Sequence, residues 1–304
     1  LSIGCAGGID TNTTYTYEQV PVAGETLTLS IRGLLGGHSG MDIDKGRGNA
    51  NKWMARILWE MKQATNIQLI SFDGGSLRNA IPREATAVIS STDVAKVKTV
   101  FAEITATLKE EYSSIEPNCQ FEMQATMTAE QAMETSDFTK IISLLCSVHN
   151  GVYRMSPDIV GLVETSSSLA RIIIKDGSFV SQSLQRSSVE STKREVCMVM
   201  RGAFENAGCQ VEQTGDYPGW KPNPNSGILR LMENLYAEMY NEKPHVKACH
   251  AGLECGILGK QLPGVDMISF GPNIRAAHSP DEKVQISSVQ KFWNYYLETL
   301  KRIA

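Results

Sequence analysis

The sequence predicts an α/β layer interrupted by an inserted antiparallel α+β domain of ferredoxin-like type, and three observations carry that prediction. Between residues 25 and 125 the apolar spacing switches between period two and period 3.6 in the order strand, helix, strand, strand, helix, strand. The run Tyr217-Pro218-Gly219-Trp220-Lys221-Pro222-Asn223-Pro224 then marks a boundary. Beyond it strands and helices alternate, as in a parallel-type layer. The expected domains are residues 1–24 with 215–304, and residues 25–214 inserted between them.

The opening residues, Leu1-Ser2-Ile3 running into Gly4-Cys5-Ala6-Gly7-Gly8, read as a strand entering a turn, and suggest that an upstream partner has been cut away. In Glu25 to Arg32, Leu27, Leu29 and Ile31 share one face, the pattern of a half-buried strand. Ala50, Met54, Ile57, Leu58 and Met61 then make a helical stripe. Ile67 to Phe72 and Ala85 to Ser90 read as strands, Val94 to Leu108 as a helix and Phe121 to Ala125 as a strand.

After a helix over Phe138 to Val148 the pattern partly recurs. Arg171 to Lys175, the turn Asp176-Gly177 and Phe179 to Leu184 predict a hairpin. Ser187 with Glu190 predicts a capping box for a helix carrying Val196, Met200 and Phe204, and Cys209 to Gln213 reads as its closing strand. Past the boundary come a helix around Leu231 and Leu235, a strand Val246 to Cys249, a short helix from Leu253, a strand Met267 to Phe270 and a final helix through Phe292 and Tyr296.

With 304 residues, 42% of them hydrophobic, the chain can bury about two cores. A formal charge of −4, from 29 basic and 33 acidic residues, leaves no basic footprint for nucleic acid and no polybasic run for a membrane surface. No stretch is apolar enough to span a bilayer, and no export signal opens the chain. Seven cysteines, an odd number without a C-x-x-C pair, read as reduced thiols and point to the cytoplasm.

Of five histidines, His38, His250 and His278 sit in glycine-rich or loop settings, whereas His149 and His245 read as structural or solvated. His278 follows an apolar strand at the expected carboxyl edge of a sheet, where such layers place ligands. His250 and Glu254 are four apart and could share a helix face, yet Gly252 lies between them and no H-E-x-x-H order exists. A turn aiming Glu254 into a substrate pocket fits equally well. There is no G-x-S-x-G elbow and no Walker or dinucleotide glycine pattern.

Taken in order, Gly4-Cys5-Ala6-Gly7-Gly8, Gly36-Gly37-His38-Ser39-Gly40, Gly48-Asn49-Ala50-Asn51-Lys52, Leu77-Arg78-Asn79-Ala80-Ile81-Pro82-Arg83-Glu84, Tyr217-Pro218-Gly219-Trp220, His250-Ala251-Gly252-Leu253-Glu254-Cys255-Gly256 and His278-Ser279-Pro280-Asp281-Glu282 resemble the bacterial aminoacylhistidine dipeptidases, members of the aminoacylase and carboxypeptidase group of dizinc metallopeptidases. The resemblance covers nearly the whole chain and is to the carboxy-terminal part of those enzymes. It implies a remnant of a zinc-peptidase α/β catalytic domain with the inserted domain as a lid. It also implies hydrolysis of Xaa-His and similar dipeptides by a water activated by two Zn2+ or other divalent ions. The partners expected are a dipeptide and, where a dimer forms, a second copy of the chain.

By the same resemblance His278 matches a zinc ligand and His38 the lid histidine that stabilises the oxyanion. Asn79 and Arg186 match the substrate-holding lid residues, Arg186 through its planar fork, and Glu254 and Gly252 part of the pocket wall. The other metal ligands and the general-base glutamate of that family match no residue here, so the chain alone is expected to be inactive. Two alternatives stand beside this one: a non-catalytic chain whose lid is an interaction or dimerisation module, and an aminoacylase or carboxypeptidase on the same scaffold.

Overall fold

A computed structural model describes residues 1–127, 129–275 and 282–303. In chain order the elements are β1 (Ser2–Cys5), β2 (Gly7–Thr16), β3 (Gln19–Pro21), β4 (Glu25–Arg32), β5 (Gly37–His38), α1 (Ala50–Ala64), β6 (Ile67–Gly74), β7 (Ala80–Ile81), β8 (Ala85–Ser91) and α2 (Val94–Glu111). There follow β9 (Gln120–Ala125), β10 (Gln131–Met133), α3 (Thr135–Ser147), β11 (Gly151–Met155), β12 (Val163–Lys175), β13 (Ser178–Ser187), α4 (Glu190–Asn206) and β14 (Gln210–Tyr217). The last are α5 (Gly227–Tyr240), β15 (Lys247–Cys249), α6 (Glu254–Gln261), β16 (Ile274–Arg275), β17 (Lys283–Val284) and α7 (Ile286–Ile303).

One antiparallel sheet runs β14-β2-β13-β12-β6-β8-β4-β9, with β11 added on β12. It consists of two ferredoxin-like units side by side. In the first, β4, β6, β8 and β9 with α1 and α2 take the spatial order expected of the split motif, the last strand beside the first. The second repeats that order with β2, β12, β13 and β14, together with α3 and α4. Its opening strand therefore precedes the whole first unit in the chain. The units join where β12 meets β6, Ile172 opposite Gly74 and Ile174 opposite Phe72.

The ladder sets the extent of the sheet, whereas the boundaries at residues 25 and 214 are expectations from sequence pattern alone. β2 lies hydrogen-bonded between β13 and β14, so the sheet starts at Gly7 and ends at Tyr217. The first unit folds on alternation alone: Leu27, Leu29 and Ile31 face the fully buried Met54, Ile57, Leu58 and Met61 of α1 in a core shared by both units. The second unit hides a polar face instead. Thr11 and Gln185 meet at 2.6 Å, Thr13 and Ser181 at 2.6 Å, and Gln213 donates to the Cys197 carbonyl of α4. Such a face is tolerated where its groups satisfy one another, as these do, while Ser183 Oγ on the same face has no partner among the described residues.

The Asp176-Gly177 hairpin forms with both residues at positive φ, the geometry of a type I′ turn. The capping box does not form. Ser187 is held as the last strand residue, paired with Gly7 and Thr165 and accepting from the Val189 amide, and α4 starts at Glu190 without a side-chain cap. Of the second layer, β1 and β15 pair in parallel, and the expected strand Met267 to Phe270 is reduced to a single bridge between Ser2 and Ser269. α5 and α7 close on it around Met232, Leu235 and Tyr295.

Candidate active site at the seam of the two units

The seam between the units brings the His38 turn and Arg186 together from opposite sides. From the first unit, β5 pairs with β7, His38 opposite Ala80. The backbone then turns back, so that the amides of Gly40 and Met41 both donate to His38 Nδ1, at 3.1 and 3.0 Å. With Nδ1 serving as acceptor, the proton of the neutral ring belongs on Nε2. The turn is anchored by the His38 amide on Asp42 Oδ2 at 2.8 Å. Partial burial opposes ionisation of Asp42, but Lys45, the His38 amide and Arg47 hold its carboxyl below the ordinary range. Asn79 reaches the same turn through its backbone, its carbonyl accepting from the Ser39 amide at 2.9 Å. The exposed Asn79 side chain remains available to a ligand.

From the second unit, Arg186 occupies a row that crosses four strands. Ser166 on β12, Arg186 on β13, Gly8 on β2 and Tyr217 on β14 stand opposite one another in register and share one face. Because Gly8 has no side chain, the Tyr217 ring lies in the gap; a Cβ there would stand 2.5 Å from the Tyr217 hydroxyl. That hydroxyl accepts from Arg186 Nη1 at 2.8 Å. Arg186 is only 4% exposed, and burial draws its guanidinium below the usual value, with Tyr217 opposing. Among the described residues no carboxylate pairs with Arg186, and its Nε has no hydrogen-bond partner.

The second layer supplies the floor. Ala6 donates its amide to the carbonyls of Cys249 and Ala251, which seats the loop after β15 beside the sheet. On that loop His250 is buried, with Nε2 2.7 Å from Ser166 Oγ. Its carbonyl oxygen presses on the His38 turn: a Cβ on Gly40 would come within 2.0 Å of it. Gly252 faces the Tyr217 ring, where a Cβ would stand at 3.3 Å. Glu254 is exposed as the first residue of α6, and no hydrogen bond or ion pair among the described residues joins it to this cluster. His278, the expected zinc ligand, lies outside the described residues.

Sequence reasoning missed Ser166 and the pairing role of Tyr217. The signal was the hydroxyl run Thr165-Ser166-Ser167-Ser168 ahead of the apolar Ile172-Ile173-Ile174 of the same strand, since buried polar groups generally take partners. Of the histidines set aside, His149 contacts the Gly151 carbonyl and the edge of Tyr153, and the His245 carbonyl receives the Leu1 amino group. Among the described residues no group of three or more His, Cys, Asp and Glu could hold a metal. The ligand chemistry expected for two Zn2+ is therefore not met by them.

The peptidase dimerisation domain family matches residues 29–116, which run from β4 through α2 to the turn after it. The chain is 38% identical over 307 residues to the cytosol non-specific dipeptidase of Escherichia coli (strain K12), a match that takes in all of this chain and 63% of that protein. The crystal structure of the aminoacylhistidine dipeptidase from Vibrio alginolyticus superposes with a TM-score of 0.93 at 39% identity, over 99% of this chain and 62% of that one. The chain thus spans under two thirds of the length of both.

Proposed function

We propose that this chain, homologous along its whole length to the cytosol non-specific and aminoacylhistidine dipeptidases, holds the substrate in an enzyme that hydrolyses dipeptides. One observation carries the reading: Arg186 is a buried guanidinium whose only hydrogen-bond partner among the described residues is the Tyr217 hydroxyl, with the Asp10 carboxylate acting on it only through space. A buried cation without a counter-charge is costly, and a free carboxylate that docks on its fork relieves that cost. The terminal carboxylate of a dipeptide is such a group. A peptide extended or amidated at that end leaves the guanidinium unmatched and is rejected.

His38 faces the same seam with a proton on Nε2. It donates to the scissile carbonyl oxygen as negative charge develops there, a bond that strengthens toward the transition state. Asn79 holds the substrate backbone from the first unit, and Gly252 and Glu254 line the wall. Peptidases of this family are generally metal-dependent. The expected zinc pair would take His278 from this chain, a residue outside the described ones. The location consistent with this reading is the cytoplasm: the E. coli relative is named a cytosol enzyme, and among the described residues no helix is long and apolar enough to cross a membrane.

The test is a comparison of free-acid and amidated dipeptides, with N-acyl amino acids and longer peptides beside them, in the metal-loaded enzyme. Free-acid dipeptides should be preferred, with Arg186→Lys mainly raising KM and His38→Ala mainly lowering kcat. Equal cleavage of amides would remove the carboxylate grip, and preference for acyl amino acids would favour an aminoacylase. The match to the dimerisation domain favours a second copy as partner, and light scattering of the purified chain reads that directly.

A further inference from the structure

Three parts of the molecule converge on His250. Its Nε2 lies 2.7 Å from Ser166 Oγ. Ser166 is the cross-strand partner of Arg186, so the two side chains leave the sheet on the same face and the imidazole stands next to the guanidinium stem. The His250 carbonyl packs on Gly40, whose Cβ position is also 3.1 Å from Arg186 Cδ and 3.2 Å from Nε. Arg186 is thereby bracketed by Tyr217 on one side, His250 on the other and Gly40 above.

We infer that His250 is a positioning residue for Arg186: its imidazole, hydrogen-bonded to the Ser166 hydroxyl, walls the guanidinium in and aims its fork at the substrate carboxylate. The inference rests on the reading of Arg186 as the carboxylate grip.

The electrostatics agree with the geometry. Burial pushes the imidazole down to about 3, the charge of Arg186 and, in acid where it is protonated, that of His38 push the same way, and the Val163 backbone opposes them. The ring is thus uncharged at neutral pH and does not repel the cation beside it. A neutral imidazole has one donor and one acceptor nitrogen, and the Ser166 hydroxyl can meet Nε2 in either role.

The experiment is steady-state kinetics on free-acid dipeptides with the metal-loaded enzyme, comparing His250→Ala, His250→Gln, Ser166→Ala, Arg186→Ala and the double variant His250→Ala/Arg186→Ala. His250→Ala should raise KM about tenfold, the effect of one lost buried hydrogen bond, with kcat changed less than about twofold. Glutamine can place its Oε1 where Nε2 lies, so His250→Gln should recover most of that loss, and Ser166→Ala should reproduce it. In the Arg186→Ala background, His250→Ala should cost nothing further. A role in folding alone would instead make the two losses multiply. Should His250→Ala fail to fold, the contrast between His250→Gln and Ser166→Ala decides in its place. An unchanged KM, or multiplying losses, overturns the inference while the wild-type activity still supports the dipeptidase reading. A wild-type enzyme inert on every dipeptide removes that reading and this inference with it.

Discussion

Arg78 Nη1 donates to both carboxylate oxygens of Asp10 at 2.9 Å, and this contact ties the Asn79 loop of one ferredoxin-like unit to the opening strand of the other. Arg78 is half exposed, so the pair contributes at most about 1 kcal/mol to stability. Its value lies in fixing Asn79 and, through the Asn79 carbonyl, the His38 turn. Asp10→Asn should therefore leave the urea midpoint nearly unchanged while raising KM for dipeptides about three- to tenfold, a loss of roughly 1 kcal/mol in substrate positioning. A midpoint that falls together with activity would make the pair a plain structural bridge.

Gly7 and Gly8 are adjacent yet should respond differently to alanine. A Cβ on Gly7 meets backbone, with the Gly219 nitrogen and the Tyr217 carbonyl oxygen both at 2.4 Å, and cannot be accommodated by a rotamer change. Gly7→Ala should cost on the order of 3 kcal/mol in denaturant unfolding. A Cβ on Gly8 meets only the end of the Tyr217 side chain, which can swing away and take its hydroxyl off Arg186. Gly8→Ala should cost less than about 1 kcal/mol in stability yet raise KM several-fold.

Lys52 belongs to a motif that resembles the dipeptidases but has a structural task. Its ammonium donates to the carbonyls of Leu145, Cys146 and Val148 at 2.7, 2.7 and 2.9 Å, closing the end of α3, while Asn49 caps the start of α1. Burial lowers the Lys52 pKa. Lys52→Met should destabilise the fold by about 1 to 3 kcal/mol in urea and leave KM for dipeptides unaltered; an effect on KM alone would contradict the capping role.

The first unit was legible because its strands and helices bury apolar side chains at clean periods, as Leu27-Leu29-Ile31 against Met54-Leu58-Met61 illustrates. β2 was not, because Thr11 and Thr13 face the interior through hydroxyl pairs and its sequence reads as polar. That one strand extends the sheet back to Gly7. In the site, the resemblance pointed to His38, Asn79 and Arg186, and the register explains why Arg186 faces the seam. Ser166, Gly8 and Tyr217 could not be paired with Arg186 from sequence. Their alignment arises only when β12, β13, β2 and β14 lie side by side.

Acid should destabilise the chain earlier than its carboxylates require, and His250 is the cause. Its folded pKa is depressed from 6.5 to about 3 by burial first and by Arg186 and His38 second. The unfolded chain therefore binds a proton at this position below about pH 6.5, and the folded chain does not until far lower. Stability is complete above pH 6.5 and falls as pH drops through that value, by at most about 1.4 kcal/mol per pH unit. Asp42 and Asp137, lowered from 3.8, and Glu111, Glu134, Glu242 and Glu298, lowered from 4.5, contribute in the same direction only below about pH 5.5. Over the interval from about pH 6.5 to 4.5 the histidines therefore act alone in the upper half, and the carboxylate part of the lower half is common to the wild type and His250→Gln. His149, lowered by burial, adds a smaller slope of the same sign. Urea unfolding of the wild type and His250→Gln across that interval should give converging curves, the wild type losing more stability toward pH 4.5. Curves that stay parallel would mean that the folded protein lets His250 take up its proton, and the neutral ring beside Arg186 would have to be given up.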